Sequence, residues 1–303
     1  RYGMDIKTWL AQQAQSATSV FHMGRYCEDW KATTYHTGKP SFHLVLDGGC
    51  WLQMRGSKKN MLLSEGDIVF FFSDLPFYFV SSPESRPEDL PLKKMRSLHD
   101  PSENDTALLC GFLHPSSRES ELLFTLMPEY LLIPHSMQVN KKLRHLFELI
   151  KFECLSSEKH CELAVTRLTD LLLVYVVEQV MDYHLVDVNL LQAAQNKLLT
   201  ELFIKIISSP AEEWSIERMA GMLNMSRSTF IRKVQTVTSY APNELVSRLR
   251  MNVAVNLLRR GYSTDDVAIQ VGYESSSGFY KAFRKVTDVT PAEFARMLIT
   301  RVV

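Results

Sequence analysis

The chain has 303 residues, 46% of them apolar, and its 34 basic and 34 acidic side chains cancel. That length allows two domains with separate cores, and the composition is that of an ordinary globular protein. Without a charge-free apolar run of about 18 residues, or a basic stretch leading into an apolar core between Met4 and Gln15, neither a membrane span nor a secretory leader is expected.

The first third reads as β structure. Ser41 to Arg55, SFHLVLDGGCWLQMR, alternates around Gly48-Gly49, which predicts a hairpin. Glu65-Gly66-Asp67 turns the chain into the short apolar strand Ile68 to Phe72, and Pro76 precedes another strand from Phe77 to Ser81. Ser82 to Asp105, rich in Pro, Ser, Glu and Asp, reads as a long exposed loop. Thr106 to Leu113 returns to strand. Short strands with turn signals between them predict a small barrel or sandwich.

Within this barrel, His43, Trp51, Phe70 and Phe72 are candidates to line a ligand pocket or simply to fill the interior. His36, His43, His99 and His114 lack metal-ligand spacing, so no metal, no cofactor and no catalytic residue are assigned. Five cysteines form no CxxC pair, and reduced thiols in a cytoplasm are expected. Cys27 and Cys110 are candidates for an oxidant-sensing dithiol, or two small buried hydrophobes.

From about Ser120 the period becomes helical. Lys141 to Leu155 places Leu143, Leu146, Phe147, Ile150 and Cys154 on one face. Cys161 to His184 predicts a long helix with Leu163, Val165, Leu168, Leu171, Leu172, Tyr175 and Val176, too broad for one stripe. Its second side is covered within the chain or by a second subunit. His184 to Gln195 reads as a junction, and everything from Asn196 on as helical.

The zero net charge conceals an asymmetry. From Leu191 onward there are 15 Lys and Arg against 10 Asp and Glu; before it, 19 against 24. A basic C-terminal third points to a polyanionic partner. That third also contains a repeat. Ser226, Phe230, Val234, Pro242 and Glu244 recur as Ser275, Phe279, Phe283, Pro291 and Glu293, at an offset of 49. Upstream, Ala220, Leu223 and Met225 recur as Ala268, Val271 and Tyr273 at an offset of 48, so the second copy has one extra residue in its turn.

Each copy reads as helix, tight turn, helix. Asn224 and Gly272 fall where the first helix should end in a left-handed residue. Ser226, and Ser275 or Ser276, fall where the second should be capped. With Phe230 and Phe279 inward, helical periodicity turns a polar and cationic face outward, suited to a DNA major groove. The residues assigned to DNA contact are Arg227, Ser228, Thr229, Ile231, Arg232, Lys233 and Gln235 in the first copy. In the second they are Ser276, Ser277, Gly278, Tyr280, Lys281 and Arg284. Asn243 to Arg260 between them predicts a helix of about 27 Å, close to the roughly 34 Å between successive major grooves.

WSIERMAGMLNMSRSTFIRKVQ, RLRMNVAVNLL and VAIQVGYESSSGFYKAFRKVTDVTPAEFAR closely resemble the DNA-binding domain of the AraC/XylS family of bacterial transcription regulators. The resemblance covers roughly Asn196 to Arg296 and implies a seven-helix bundle with two helix-turn-helix units. The family usually has Gly where Ser239 and Asp288 stand. FHLVLDGGCWLQM, LSEGDIVFFF, LLCGF and LMPEYLLI resemble the cupin-type sensor of one branch of that family. That implies a barrel followed by helices that often mediate dimerisation.

The expected fold is therefore α+β. Residues 1–120 form a cupin-like sensor barrel, 121–190 a helical dimerisation segment, and 191–303 an all-α domain with two helix-turn-helix units. The expected function is sequence-specific regulation of transcription, as an activator or repressor. The expected partners are double-stranded promoter DNA, a second copy of the chain, RNA polymerase if it activates, and a small-molecule effector, with no membrane. The alternative is a cupin-type metalloenzyme with an appended DNA-binding module. Localisation is expected in the cytoplasm, at the nucleoid.

Overall fold

The computed structural model describes residues 6–15, 17–54, 60–91, 93, 95–137, 141–156, 162–183 and 185–297. Met4, Arg55, Cys161 and His184, which bound expected elements, lie outside the described residues. The chain forms two compact units. The first holds the chain to Ser116 and again from Met127 to Leu185; the second holds Ser117–Leu126 and the chain from Val186 on. The expected three-part division places Ser117–Leu126 differently, because this segment packs with the C-terminal helices.

In the first unit, helix α1 (Ile6–Gln13) precedes strands β1 (Thr18–Tyr26), β2 (Lys31–Ala32), β3 (Ser41–Asp47), β4 (Gly49–Met54), β5 (Met61–Ser64), β6 (Ile68–Phe71), β7 (Phe77–Val80) and β8 (Thr106–Leu113). After the segment given to the second unit come β9 (Tyr130–Ile133) and, below, two long helices. One sheet has the order β1-β8-β3-β6-β9 and the other β2-β7-β4-β5. The core contains inward residues of both, among them Val45, Val69, Phe71, Leu108 and Cys110 from the first and Cys50, Leu52, Leu63, Phe77 and Phe79 from the second.

The hairpin expected at Gly48-Gly49 does not form. β3 pairs with β6 and β8, while β4 pairs with β5 and β7. Gly48, at φ 72°, is a corner at which the chain passes from one sheet to the other. A side chain there would collide with the backbone carbonyl of Asp105, so the glycine serves close approach as well as the turn. The long loop from Ser82 to Asp105 is tied down by a buried cation. Arg25 donates from Nε to the Leu98 carbonyl at 2.7 Å and pairs with Asp47 at 2.8 Å and Asp105 at 2.7 Å.

Helices α3 (Lys141–Leu155) and α4 (Glu162–Asp182) pack on one another. All five residues expected on the inner face of α3 are buried. Asp170 fastens α4 to the start of β1, accepting from the Thr18 amide at 3.0 Å and its hydroxyl at 2.7 Å. α4 is covered along Val165, Leu172, Val176 and Val180, yet Leu163 and Leu171 remain exposed.

The second unit begins in chain order with α2 (Arg118–Leu126), then α5 (Val188–Ala193), which lies inside the expected junction. Among the described residues seven helices follow Asn196: α6 (Lys197–Ser208), α7 (Ile216–Met222), α8 (Arg227–Thr238), α9 (Pro242–Arg259), α10 (Thr264–Gln270), α11 (Ser276–Thr287) and α12 (Pro291–Met297). α9 runs through the middle, touching α6 and α8 on the first side and α10, α11 and α12 on the other. α2 packs on α5 and α6, and the Leu126 carbonyl accepts from Asn252 of α9 at 3.3 Å.

Candidate nucleic-acid interface

The two repeats fold as two helix-turn-helix units, α7–α8 and α10–α11. α7 ends through Asn224 at φ 52°, and α10 through Gly272 at φ 82°. The extra residue of the second copy lies in that turn, between Gln270 and Ser276. Ser226 caps α8 by accepting from the Thr229 amide at 3.3 Å, and Ser275, rather than Ser276, caps α11 through the Gly278 amide at 3.2 Å. Ser239 and Asp288 end these helices in the left-handed region, both at φ 63°, a conformation that favours glycine.

Phe230 and Val234 are fully buried, as are Phe279 and Phe283. The first pair shares the bundle with buried Leu245 and Leu249 of α9, and the second clusters with Met251, Ala254 and Leu258. These anchors fix which sides of α8 and α11 face out. Arg227, Ser228, Thr229, Arg232 and Gln235 are exposed on α8, with Ile231 and Lys233 half-buried. Ser276, Ser277, Gly278, Tyr280, Lys281 and Arg284 are exposed on α11.

The polar groups of these faces differ in availability. Arg227 is paired with Glu217 at 3.2 Å, and Ser276 donates to Asp265 at 2.6 Å. The Thr229 hydroxyl is bonded to Ser226 at 2.9 Å. Arg232, Lys281 and Arg284 form no ion pair among the described residues, so their donors are free for phosphate or base edges. Arg248 of α9, by contrast, is consumed inside the unit, pairing with Asp187 at 2.9 Å and lying 4.0 Å over the Tyr240 ring. Sequence reading does not single out Asp187. It caps α5 and receives Tyr240 and Arg248; its place after an apolar run and before VNLLQA is the available signal.

The barrel candidates do not converge. His43 faces the interior, edge-on to Phe71, Phe77 and Phe79 at 4.8–5.7 Å between centroids. Its Nε2 bonds to Ser41 at 3.1 Å, and its Nδ1 is buried without a partner. Phe70 packs with Phe42 and Phe72 at 5.7 Å in each case, on the opposite face from Phe71. Trp51 lies between the inward Cys50 and Leu52 and is half-buried. A pocket lined by all four is therefore corrected: the two-residue period of a strand sends His43 inward and the other three outward.

Register also separates the proposed thiol pair. His22 stands opposite Cys110, and Cys27 is five residues further along, roughly 16 Å at strand spacing. A disulfide needs Cα atoms within about 7 Å. Cys27 instead lies 3.1 Å from the Ser102 hydroxyl and 3.4 Å from Arg96, while burial pushes the Cys110 thiol far up. His36 lies against Tyr35, and His114 bonds to Ser19 at 2.6 Å, so these histidines do not gather around His43. Among the described residues no three His, Cys, Asp or Glu side chains are placed to hold a metal ion.

Comparison with known proteins agrees with both halves of this architecture. A cupin family model matches residues 10–182 and a helix-turn-helix domain model residues 219–297. An uncharacterized HTH-type transcriptional regulator of Haemophilus influenzae is 29% identical over 97% of this chain and 99% of its own length. The transcriptional regulator MtrA of Neisseria gonorrhoeae is 26% identical over 84% of this chain and 85% of its own. The RCS-specific transcriptional activator RclR of Escherichia coli is 24% identical over 69% and 75%. With its cupin domain, its paired helix-turn-helix units and these relatives, the chain belongs to the AraC family of DNA-binding transcriptional regulators.

Proposed function

We propose that one chain reads two successive major grooves of promoter DNA, with α8 and α11 as the recognition helices. The observation that carries this is the pairing of matched caps and buried aromatic anchors with outward cations left unpaired at Arg232, Lys281 and Arg284. Arg232 is the sharpest reader, since a guanidinium can fork onto guanine. Ile231 suits a thymine methyl, and Lys233 a phosphate. The two serines and the glycine that begin α11, Ser276, Ser277 and Gly278, offer short contacts, so the second helix-turn-helix unit reads sequence more weakly.

Arg232→Ala lowers specific affinity by about 1–3 kcal/mol while folding stays normal. Lys281→Ala acts in the same direction with less loss of sequence preference. Gel-shift titrations on a bound promoter fragment test this, and wild-type affinity in both variants would reject the assignment.

The biological unit is proposed to be a homodimer in the cytoplasm, closed through the exposed apolar side chains of α3 and α4. Leu149, Phe152, Leu163 and Leu171 are 39–66% exposed. No helix among the described residues is long and apolar enough to cross a membrane. The proposed signal is a small molecule received by the first unit, whose buried His22 Nε2 and His43 Nδ1 are unpartnered polar anchors. If the output is activation, RNA polymerase is the further partner. The chain is proposed to act as a regulator and not as an enzyme, consistent with the names of its relatives.

A further inference from the structure

At the middle of α9, Arg250 is the meeting point of three segments. Its Nε donates to the Pro210 carbonyl at 2.8 Å and its Nη2 to the Glu212 carbonyl at 3.0 Å. Both carbonyls belong to the loop that leads into the first helix-turn-helix unit. The same guanidinium lies 5.7 Å from the ring centroid of Tyr273, in the turn of the second unit. Tyr273 is held in turn by Ser247 at 3.2 Å and packs edge-on to the anchor Phe279 at 5.7 Å.

The turn of the second unit also closes directly onto this loop. A Cβ on Gly272 would stand 2.8 Å from the Ala211 Cα and 2.9 Å from Arg250 Nη2. Only a glycine lets this turn close onto the loop, and its φ of 82° excludes most substitutes independently. Arg250 has no carboxylate partner among the described residues, and burial lowers its pKa. A cation half-buried against backbone carbonyls carries a desolvation cost, and a plain surface arginine would not be placed there. A planar fork fits two carbonyls of one loop, which an ammonium does not.

We infer that Arg250, with Gly272, is a clamp that locks the two DNA-reading units into one body, making it a positioning residue for two-groove recognition. It need not touch DNA. Its effect is to present the second recognition helix already placed once the first has docked, which removes the ordering cost of the second contact. The inference rests on the two-groove reading above, so its test includes a measurement made without DNA.

Arg250→Met keeps the stem and removes the fork. In the free full-length protein, hydrogen exchange should speed up in both the 209–213 loop and the 271–274 turn, with the barrel unchanged. On DNA carrying both half-sites, affinity should fall about tenfold; on DNA with the second half-site scrambled it should stay within twofold. Exchange unchanged in either segment, or equal weakening on both DNAs, overturns the clamp. If Arg250→Met does not fold, Arg250→Lys, which retains charge without the fork, is read by the same criteria. Wild-type binding that is indifferent to scrambling the second half-site would instead defeat the two-groove reading, while the exchange result would still decide the clamp.

Discussion

Ser239 and Asp288 occupy equivalent positions at the ends of α8 and α11, and both hold a left-handed backbone that costs a side chain on the order of 1 kcal/mol. Asp288 adds a carboxylate to the negative end of a helix dipole. Ser239→Gly should therefore stabilise the C-terminal helical unit by roughly 0.5–1 kcal/mol, and Asp288→Gly by somewhat more. Thermal melts of the full chain check this; a fall in melting temperature for either would contradict the strain argument. The buried histidines set a second expectation. Burial lowers His22 to about 4 and His43, with some help from His22, to about 3. Both folded values lie below the ordinary 6.5, so the unfolded chain takes up protons first as pH falls. Stability is full above pH 6.5 and declines below it, by about 2 kcal/mol per histidine at pH 5. His43→Leu should flatten this decline between pH 7 and pH 5, as read by melts at each pH; an unchanged slope would show that His43 is not its source.

At the scale of elements, what is legible follows the strength of local signals. The inner face of α3 and the caps and anchors of α8 and α11 can be read because a 3.6-residue period and a serine before it are local properties. The range of β8 is equally plain in TALLCGFL. β1 escapes sequence reading, since TSVFHMGRY carries a bulge between Val20 and His22 that breaks its alternation. β9 escapes it because four residues, YLLI, look the same in a helix or a strand. The Gly48-Gly49 corner resembles a hairpin because sheet membership is decided by distant partners, β8 and β7, that no local pattern names. The pocket fails for a different reason: its residues share a type but not a parity along the strand. The exposed apolar faces of α3 and α4 give this scale its prediction. Phe152 is 66% exposed, and Phe152→Glu should convert a dimer to a monomer in sedimentation without lowering the melting temperature. A wild-type protein that sediments as a monomer would reject the dimer, and a Phe152→Glu variant that remains a dimer would place the contact away from these helices.

For the whole molecule, the charge asymmetry and the repeat are both plain in the amino-acid sequence, and together they locate the DNA-binding half. The division of the chain is less visible. Ser117–Leu126 lies within the cupin match at residues 10–182, yet α2 packs with the DNA-binding helices. A fragment beginning at Val186 lacks α2 and leaves its seat on α5 and α6 open, which no sequence period reveals. In the proposed reading, regulation by this chain rests on its engaging two grooves through the faces of α8 and α11. Methylation-protection footprinting of the full chain on a bound promoter fragment tests it most directly. The prediction is two protected major-groove patches about one helical turn apart on the same DNA face, with Arg232→Ala erasing protection at one and sparing the other. A single patch, or two patches untouched by that substitution, would contradict it.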